Sequence, residues 1–169
     1  MNGSWFAGVL TRDLKALKRE IEAYPGERDL WRVAPGIGNP GGTLALHLAG
    51  NLQYFVGAVL GRTGYRRDRD AEFQRRDLPR RELLAQVDAA IATVDCGLAT
   101  LDDAALARDY PETVGGITVR TGDFLLHLVA HLTYHLGQVD YHRRLVTGQG
   151  TTVGAVPIGE LRTARRPPA

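Results

Sequence analysis

Two histidines, His131 and His135, lie four residues apart in the segment 122–144, GDFLLHLVAHLTYHLGQVDYHRR, which has the pattern of one long helix. Residues i and i+4 share a face of a helix, with Cβ atoms about 5–6 Å apart. Both imidazoles can therefore reach one metal ion if a third ligand faces them. The segment holds four of the five histidines, and the fifth, His47, lies in another helical segment.

Angles around the helix separate the four histidines of this segment. The core direction is set by a stripe of apolar residues, Leu125, Leu128, Leu132, Leu136 and Val139. At about 100° per residue, His135 lies about 60° from that direction and His131 about 100°, so both can line an interior cavity. His127, at about 140°, can serve at most as a group behind the ligands or at the rim. His142 lies about 10 Å along the axis from His135, too far to bind the same ion.

His47 is the candidate for the third ligand, because it lies between two leucines on the inner side of its own helix. A buried neutral imidazole without a partner costs about 1–3 kcal/mol, and a shared metal would remove that cost. Asn51 and Tyr54 follow His47 at i+4 and i+7, and Gln138 follows the histidine pair. These three neutral polar residues are candidates to orient a substrate, and Tyr54 can donate to an anionic intermediate.

Three neutral imidazoles leave the charge of a divalent ion uncompensated and keep coordination positions open, as in catalytic metal sites. A thiol or a water molecule bound there loses its proton near neutral pH. With a thiol the site predicts a transferase, and with water a hydrolase. Imidazole suits several metals, of which zinc is the first candidate and nickel the second. A non-catalytic bundle that binds or senses a metal needs the same ligands, so these functions stay open.

Four amphipathic helices account for most of the chain. Apolar residues recur at three and four residues in each of them. The first is predicted over residues 5–24, before Pro25, and the second from an N-cap at Thr43 to Gly61. The third opens at Asp77 with Pro79 and carries Leu84, Val87, Ile91, Val94, Leu98 and Leu101. The fourth contains the histidine pair and is capped by Thr121 or Asp123.

The predicted fold class is therefore all-α, a four-helix bundle with long inter-helix loops. The segment 113–120, TVGGITVR, has β-branched residues on either side of two glycines, which predicts a possible short β-hairpin. Residues 1–169 are predicted to form a single domain, with a loosely structured tail from about residue 149.

Two motifs give the chain a resemblance to a known family. The segments LALHLAGN and LVAHLTYHLGQ resemble the DinB/YfiT-like superfamily of small metal-binding four-helix bundles. In that family one histidine of the second helix and an H-x3-H pair of a later helix bind one divalent metal. The resemblance implies that His47, His131 and His135 are the ligands, the last being followed by Leu136, Gly137 and Gln138.

The resemblance also implies an activity and a partner. The start of the second helix, IGNPGGTLALHLAGNL, is similar to a subgroup known as domains of unknown function. Characterised relatives include bacillithiol transferases and a mycothiol-dependent maleylpyruvate isomerase. They imply a metal-dependent S-transferase that activates a low-molecular-weight thiol cosubstrate and acts on a small-molecule substrate. Homodimers are common in the family, so a homodimer is expected.

Composition limits the other classes of function. A chain of 169 residues, 44% hydrophobic and 24% charged, can bury one core. Charged residues appear early in the N-terminal segment and no cleavage pattern follows, so we predict a cytoplasmic protein without a membrane span. The formal charge of +2 does not indicate a polyanionic partner.

Two further patterns imitate known binding motifs. Residues 36–41 match G-x-G-x-x-G, but they follow Pro35 and no parallel sheet is predicted, so they are interpreted as a tight turn whose following amides can receive a carboxylate. Residues 62–81 contain eight arginines among four acidic residues. This mixture is typical of a solvated loop, with a loop at the pocket mouth as an alternative, and no nucleic-acid partner is expected.

The small residues of the second and third helices give two further predictions. The one cysteine, Cys96, is predicted to be a packed, inert thiol in the third helix. Gly50, Gly57 and Gly61 form a small-residue stripe on the second helix, which predicts a close neighbour within the bundle or in a second subunit.

Overall fold

The computed structural model describes residues 2–154 and 156–167, and every regular element in those residues is helical. The α-helices are α1 (Gly3–Ala23), α2 (Gly41–Leu52), α3 (Arg69–Gln74), α4 (Arg80–Leu98), α5 (Asp103–Leu106) and α6 (Thr121–Thr147). A π-helical segment, Gln53–Leu60, continues α2 without a break, and short 3-10 turns lie at Glu27–Trp31 and Ile158–Glu160. The predicted all-α class is confirmed.

The four long helices form a bundle. Helix α1 packs on α4 and α6, and α2 packs on the same two helices from the opposite side. His47 contacts His135, and Phe55, which follows His47 in the chain, contacts Phe124, which precedes His135. The two helical segments therefore run antiparallel. The histidine-bearing faces of α2 and α6 consequently meet.

Helix α1 follows the sequence pattern closely. Its stripe of Phe6, Leu10, Leu14, Leu17 and Ile21 is buried. The helix begins at Asn2, whose side chain accepts a hydrogen bond from the Ser4 N–H at 3.2 Å, and it ends before Pro25. All five of these apolar residues therefore contribute to the core.

Helix α2 differs from its prediction at both ends. Its N-cap is Pro40, and Thr43 lies inside the first turn with no exposed surface. The π-helical segment Gln53–Leu60, which continues α2 to the end of the predicted helix, packs on α4. The span Gly41–Leu60 is long and apolar enough to cross a membrane, but 72% of its apolar 18-residue stretch is buried against the rest of the fold, as in a bundle's core helix.

Helix α4 buries a stripe shifted from the predicted one. Leu83, Ala90 and Gly97 take part in the contact, whereas Leu84 and Ile91 are only half-buried. The prediction that Cys96 is packed was wrong: its thiol is exposed. The reason is angular, because a residue two positions from Val94 and from Leu98 lies about 160° away from both.

The glycine stripe of α2 is explained within one chain. A Cβ at Gly50 would overlap the Glu72 carboxylate, and one at Gly57 would lie 2.5 Å from the Thr93 methyl group. The small residues therefore admit side chains of α3 and α4.

The predicted hairpin is reduced to a turn. Val114 and Ile117 form one antiparallel bridge around Gly115 and Gly116, both with positive φ, and no strand forms in the described residues. Helix α6 begins after Arg120, which makes no side-chain cap, so neither predicted cap is used. It ends at Gly148 in the left-handed conformation.

The tail returns along α1. Arg19 donates to the carbonyl groups of Val153 and Gly154 and pairs with Glu160. Under it lies an ion pair without exposed surface, in which the Arg143 Nε donates to Glu20 at 2.6 Å.

Candidate metal centre

The three predicted ligands meet between α2 and α6. One ring nitrogen from each of His47, His131 and His135 lies within 4.8 Å of the other two. The Nε2 atoms of His47 and His131 are 3.3 Å apart, and the rings of His131 and His135 are 4.5 Å apart. His47 is 7% exposed and the other two are half-buried, so the cluster is reachable from one side.

Hydrogen bonds at the far side of two rings orient their free nitrogens. The Nδ1 of His135 is 2.6 Å from the Gln138 Oε1, and the Nδ1 of His47 is 3.1 Å from the Glu72 Oε2. An amide or carboxylate oxygen only accepts, so these contacts favour a proton on each Nδ1 and a lone pair on each Nε2. The Arg67 Nη2 also lies 3.3 Å from the His47 Nδ1, but it already donates to the Glu72 Oε2 at 2.7 Å. The lone pairs of His47 and His135 are thus available on the side of the cluster.

The surroundings favour neutral imidazoles. Burial, followed by the neighbouring charges of His135 and His47, lowers the pKa of His131 to about 4. Burial also lowers the pKa of His135, and the hydrogen bond with Gln138 opposes that shift only in part. A neutral imidazole is the form that binds a metal.

Sequence reasoning missed the contact of Glu72 with this cluster. The prediction of a solvated loop for residues 62–81 was wrong at Glu72, which is 7% exposed, and at Arg67, which is half-buried. Burial alone raises the pKa of the Glu72 carboxyl, but hydrogen bonds from Arg67 and His47 outweigh it and hold this pKa below its usual value. No motif spacing indicates this contact, because 25 residues separate Glu72 from His47.

The other candidate residues have different surroundings. Asn51, one turn beyond His47, is 7% exposed, and its Oδ1 has no hydrogen-bond partner. The Tyr54 hydroxyl donates to Glu112 at 2.9 Å, and this hydrogen bond is the main reason why the pKa of Tyr54 is raised. His127 is exposed and stacks on His131 at 6.0 Å, which agrees with the predicted rim position.

His142 belongs to a separate, buried network. Its Nε2–H donates to the carbonyl oxygen of Arg32 at 2.8 Å. Its Nδ1 accepts from the Gly41 N–H at 3.3 Å and lies 2.7 Å from the Tyr24 hydroxyl, which also reaches the Val139 carbonyl oxygen at 3.2 Å. The first amide of α2, a predicted receptor for a carboxylate, is therefore used inside the fold.

A cavity of about 340 Å³ continues the groove between α2 and α6 beyond the histidines. Its walls are mostly apolar and are formed by the turn 36–39, Leu44, Tyr141, His142 and Leu145. Gln138 lines the cavity and also contacts His135, so it marks the boundary between cavity and cluster.

The residues present fit a divalent transition metal. Two ligands at about 2.0–2.1 Å in tetrahedral geometry lie about 3.3 Å apart, which is the separation of the His47 and His131 nitrogens. Both oriented imidazoles have an acceptor on their second nitrogen, as metal-binding histidines almost always do. The unpartnered Asn51 oxygen lies one turn after His47 on α2.

Comparison with known families agrees with the all-α fold. A sequence model of the DinB superfamily matches residues 10–139, more than half of the chain and all three histidines. The chain belongs to the DinB superfamily. A comparison with curated proteins finds no match.

Proposed function

We propose that this chain is a metal-dependent enzyme that activates a low-molecular-weight thiol for S-transfer to a small-molecule electrophile. The observation that carries the proposal is the cluster of three imidazoles, His47, His131 and His135, whose ring nitrogens converge between α2 and α6. Three protein ligands leave a coordination position for a reactant, whereas structural zinc sites use four. Zinc is our first choice of metal and nickel the second.

The bound metal would supply a Lewis acid that lowers the pKa of a coordinated thiol toward neutrality. In the proposed reaction the thiol sulfur forms a bond to an electrophilic carbon. The bond from that carbon to its leaving group breaks with its electron pair, and the thiol proton passes to solvent. Asn51 offers an unpartnered acceptor for a donor group of the substrate. The adjacent apolar cavity, with Gln138 at its boundary, offers a volume for the electrophile.

Two other functions use the same ligands. With water in place of the thiol, the site would be a hydrolase, and without a reaction it would be a metal-binding or stress-response bundle. Tyr54 is less favoured as a donor to substrate because its hydroxyl already donates to Glu112. Homodimer formation and a cytoplasmic location stay predictions.

The metal itself is tested by elemental analysis of untagged protein. We expect about one divalent ion per chain in the wild type and in His127→Ala, since His127 is exposed and outside the cluster. We expect His131→Ala to lose most of the metal. Stoichiometric metal in His131→Ala, or none in the wild type, would contradict the site.

The reaction is tested with a panel of thiols, namely bacillithiol, mycothiol, glutathione and coenzyme A, each with a chromogenic electrophile. We expect turnover with at least one thiol, its loss in His131→Ala and its retention in His127→Ala. If the wild type and His127→Ala both bind metal but turn over no thiol of the panel, the transferase is rejected, and the hydrolase or the non-catalytic bundle is favoured.

A further inference from the structure

A buried carboxylate lies behind the His47 ring, on the side away from the other two histidines. The Oε2 of Glu72 is 3.1 Å from the His47 Nδ1, while the His47 Nε2 faces His131 at 3.3 Å. Phe73, the next residue of α3, packs against the same ring with a centroid distance of 4.9 Å. The short helix α3 therefore contacts His47 through two adjacent side chains.

Arg67 holds this carboxylate in place. Its Nε donates to the Glu72 Oε1 and its Nη2 to the Oε2, both at 2.7 Å, which is the bidentate geometry of strong ion pairs. The guanidinium also lies over the Phe55 ring at 5.6 Å. Both carboxylate oxygens are thus fixed from one side, and the Oε2 remains directed at the imidazole.

Gly50 makes room for the same carboxylate. It lies on α2 one turn after His47, and a Cβ there would overlap the Glu72 Oε1 and lie 2.8 Å from its Cδ. Any larger residue at this position would displace the carboxylate from His47.

We propose that Glu72 is a positioning residue that fixes His47 as the Nδ1–H tautomer and directs its Nε2 lone pair to the metal. Arg67 holds the Glu72 carboxylate in place, and Gly50 leaves the space that this carboxylate occupies. The opposite tautomer would place an Nδ1 lone pair 3.1 Å from a carboxylate oxygen, which is unfavourable. The other neighbour of the Nδ1, the Arg67 Nη2 at 3.3 Å, already donates to that carboxylate at 2.7 Å. The inference rests on the metal site proposed above. It assigns a role to the arginine-rich segment 62–81, which presents both Arg67 and Glu72.

A purely structural ion pair is the competing explanation, in which Glu72 and Arg67 only attach α3 to α2. That role predicts a loss of stability without a specific effect on His47. Two measurements separate the explanations: the tautomer of His47 in metal-free protein, and the affinity for Zn²⁺ in variants that remain folded.

The first measurement is the ¹⁵N chemical shift pattern of the His47 ring in metal-free protein. We expect the Nδ1–H form in the wild type and in Asp70→Asn, which removes a charge from an exposed position of the same helix. We expect Glu72→Gln to lose this preference and to populate both tautomers. An Nε2–H tautomer in the wild type, or an unchanged pattern in Glu72→Gln, would overturn the proposal.

The second measurement is Zn²⁺ affinity by competition with a chelator of known affinity. Loss of a residue that orients a ligand histidine typically lowers metal affinity by about 10- to 100-fold. We expect that loss in Glu72→Gln and in Gly50→Ala, but not in Asp70→Asn. Alanine is a better helix former than glycine, so Gly50→Ala should retain its helix content by circular dichroism.

The double variant Gly50→Ala/Glu72→Gln links the two residues. If Gly50 acts by admitting Glu72, the double variant should lose no more affinity than either single variant. Multiplied losses would overturn the assignment of Gly50.

If the wild type binds Zn²⁺ and Glu72→Gln binds it equally well, the positioning role fails while the metal site stands. If the wild type binds no Zn²⁺, the proposed metal site itself fails.

Discussion

At the scale of single residues, His142 shows how a fold selects one form of a histidine. The ring has three hydrogen-bond partners in a buried site, and they favour the neutral Nε2–H tautomer. A second proton on Nδ1 would face the Gly41 N–H, which can only donate. Burial accordingly lowers the pKa of His142, although the hydrogen bond to Arg32 opposes the shift in part.

This network predicts a pH dependence of stability. The pKa of His142 is lower in the folded than in the unfolded protein, so the unfolded state binds more protons once the pH falls below about 6.5. The contribution of His142 is complete above that pH and decreases as the pH falls toward the folded-state pKa, by about 1.4 kcal/mol per unit of separation. We expect His142→Gln to be less stable at pH 7.5 but to lose less stability between pH 7 and 5 than the wild type. Urea unfolding across that range measures both.

The exposed residue His127 supplies the control for this experiment. His127→Gln should keep the wild-type loss of stability with acid, because His127 lies outside the buried network. An equally steep loss in His142→Gln and in the wild type would show that other groups cause the acid sensitivity.

The candidate site was predictable at the residues that repeat along a helix, and not at the residues that reach it from elsewhere. His131 and His135 are marked by their i, i+4 spacing, and His47 by its place on an apolar face. Glu72 has the same sequence surroundings as the exposed Asp70, and only the path of the chain after α2 brings it to His47. Mixed charge indicates the average exposure of a segment, but it does not identify the one carboxylate that is buried.

At the scale of elements, hydrophobic periodicity predicted the four long helices, while their ends and rotations depended on contacts. The predicted caps at Thr43 and Thr121 were wrong because both helices begin earlier, after Pro40 and Arg120, so that the two threonines lie inside the first turn. Helix α4 turned its small residues, Ala90 and Gly97, toward the core. Hydrophobic periodicity could not predict this rotation, because the pattern is dominated by large apolar residues and contains no information on how closely two backbones approach.

The close approach of α4 to the π-helical segment predicts opposite effects of two glycine substitutions. A Cβ at Gly97 would lie 2.9 Å from the Val56 carbonyl oxygen, whereas one at Gly137 on α6 would meet nothing within 4 Å. We expect Gly97→Ala to destabilise the fold by about 1–3 kcal/mol, since backbone must move. We expect Gly137→Ala to stabilise it by about 0.5–1 kcal/mol through helix propensity. Urea unfolding of both variants measures the difference.

The pair controls for composition, because both variants add one methyl group to a helix. Equal changes of either sign would contradict a specific contact at Gly97. If the slope of the unfolding free energy against urea concentration changed in one variant alone, the surface exposed on unfolding would have changed in that variant. The two slopes would then have to be compared separately.

At the scale of the whole molecule, two polar clusters join helices that are distant in sequence. The buried pair of Glu20 and Arg143 joins α1 to α6 across 123 residues. The histidine cluster joins α2 to α6, with His47 and His131 separated by 84 residues. Since ligands so far apart converge only in the folded chain, a metal bound by all three histidines should bind the folded state preferentially.

This linkage predicts that metal raises the melting temperature by an amount that depends on its concentration. A ligand at 100 times its Kd stabilises the state that binds it by about 2.7 kcal/mol. For a chain of this size, that corresponds to a rise of about 5–10 °C. We expect the rise when Zn²⁺ is added to metal-free protein, its reversal by a chelator, and little change in His131→Ala. His127→Ala should behave as the wild type does, because its side chain is outside the cluster. If His131→Ala gained the same increase, Zn²⁺ would be acting at other groups, and the three histidines would not form the site that couples metal binding to folding.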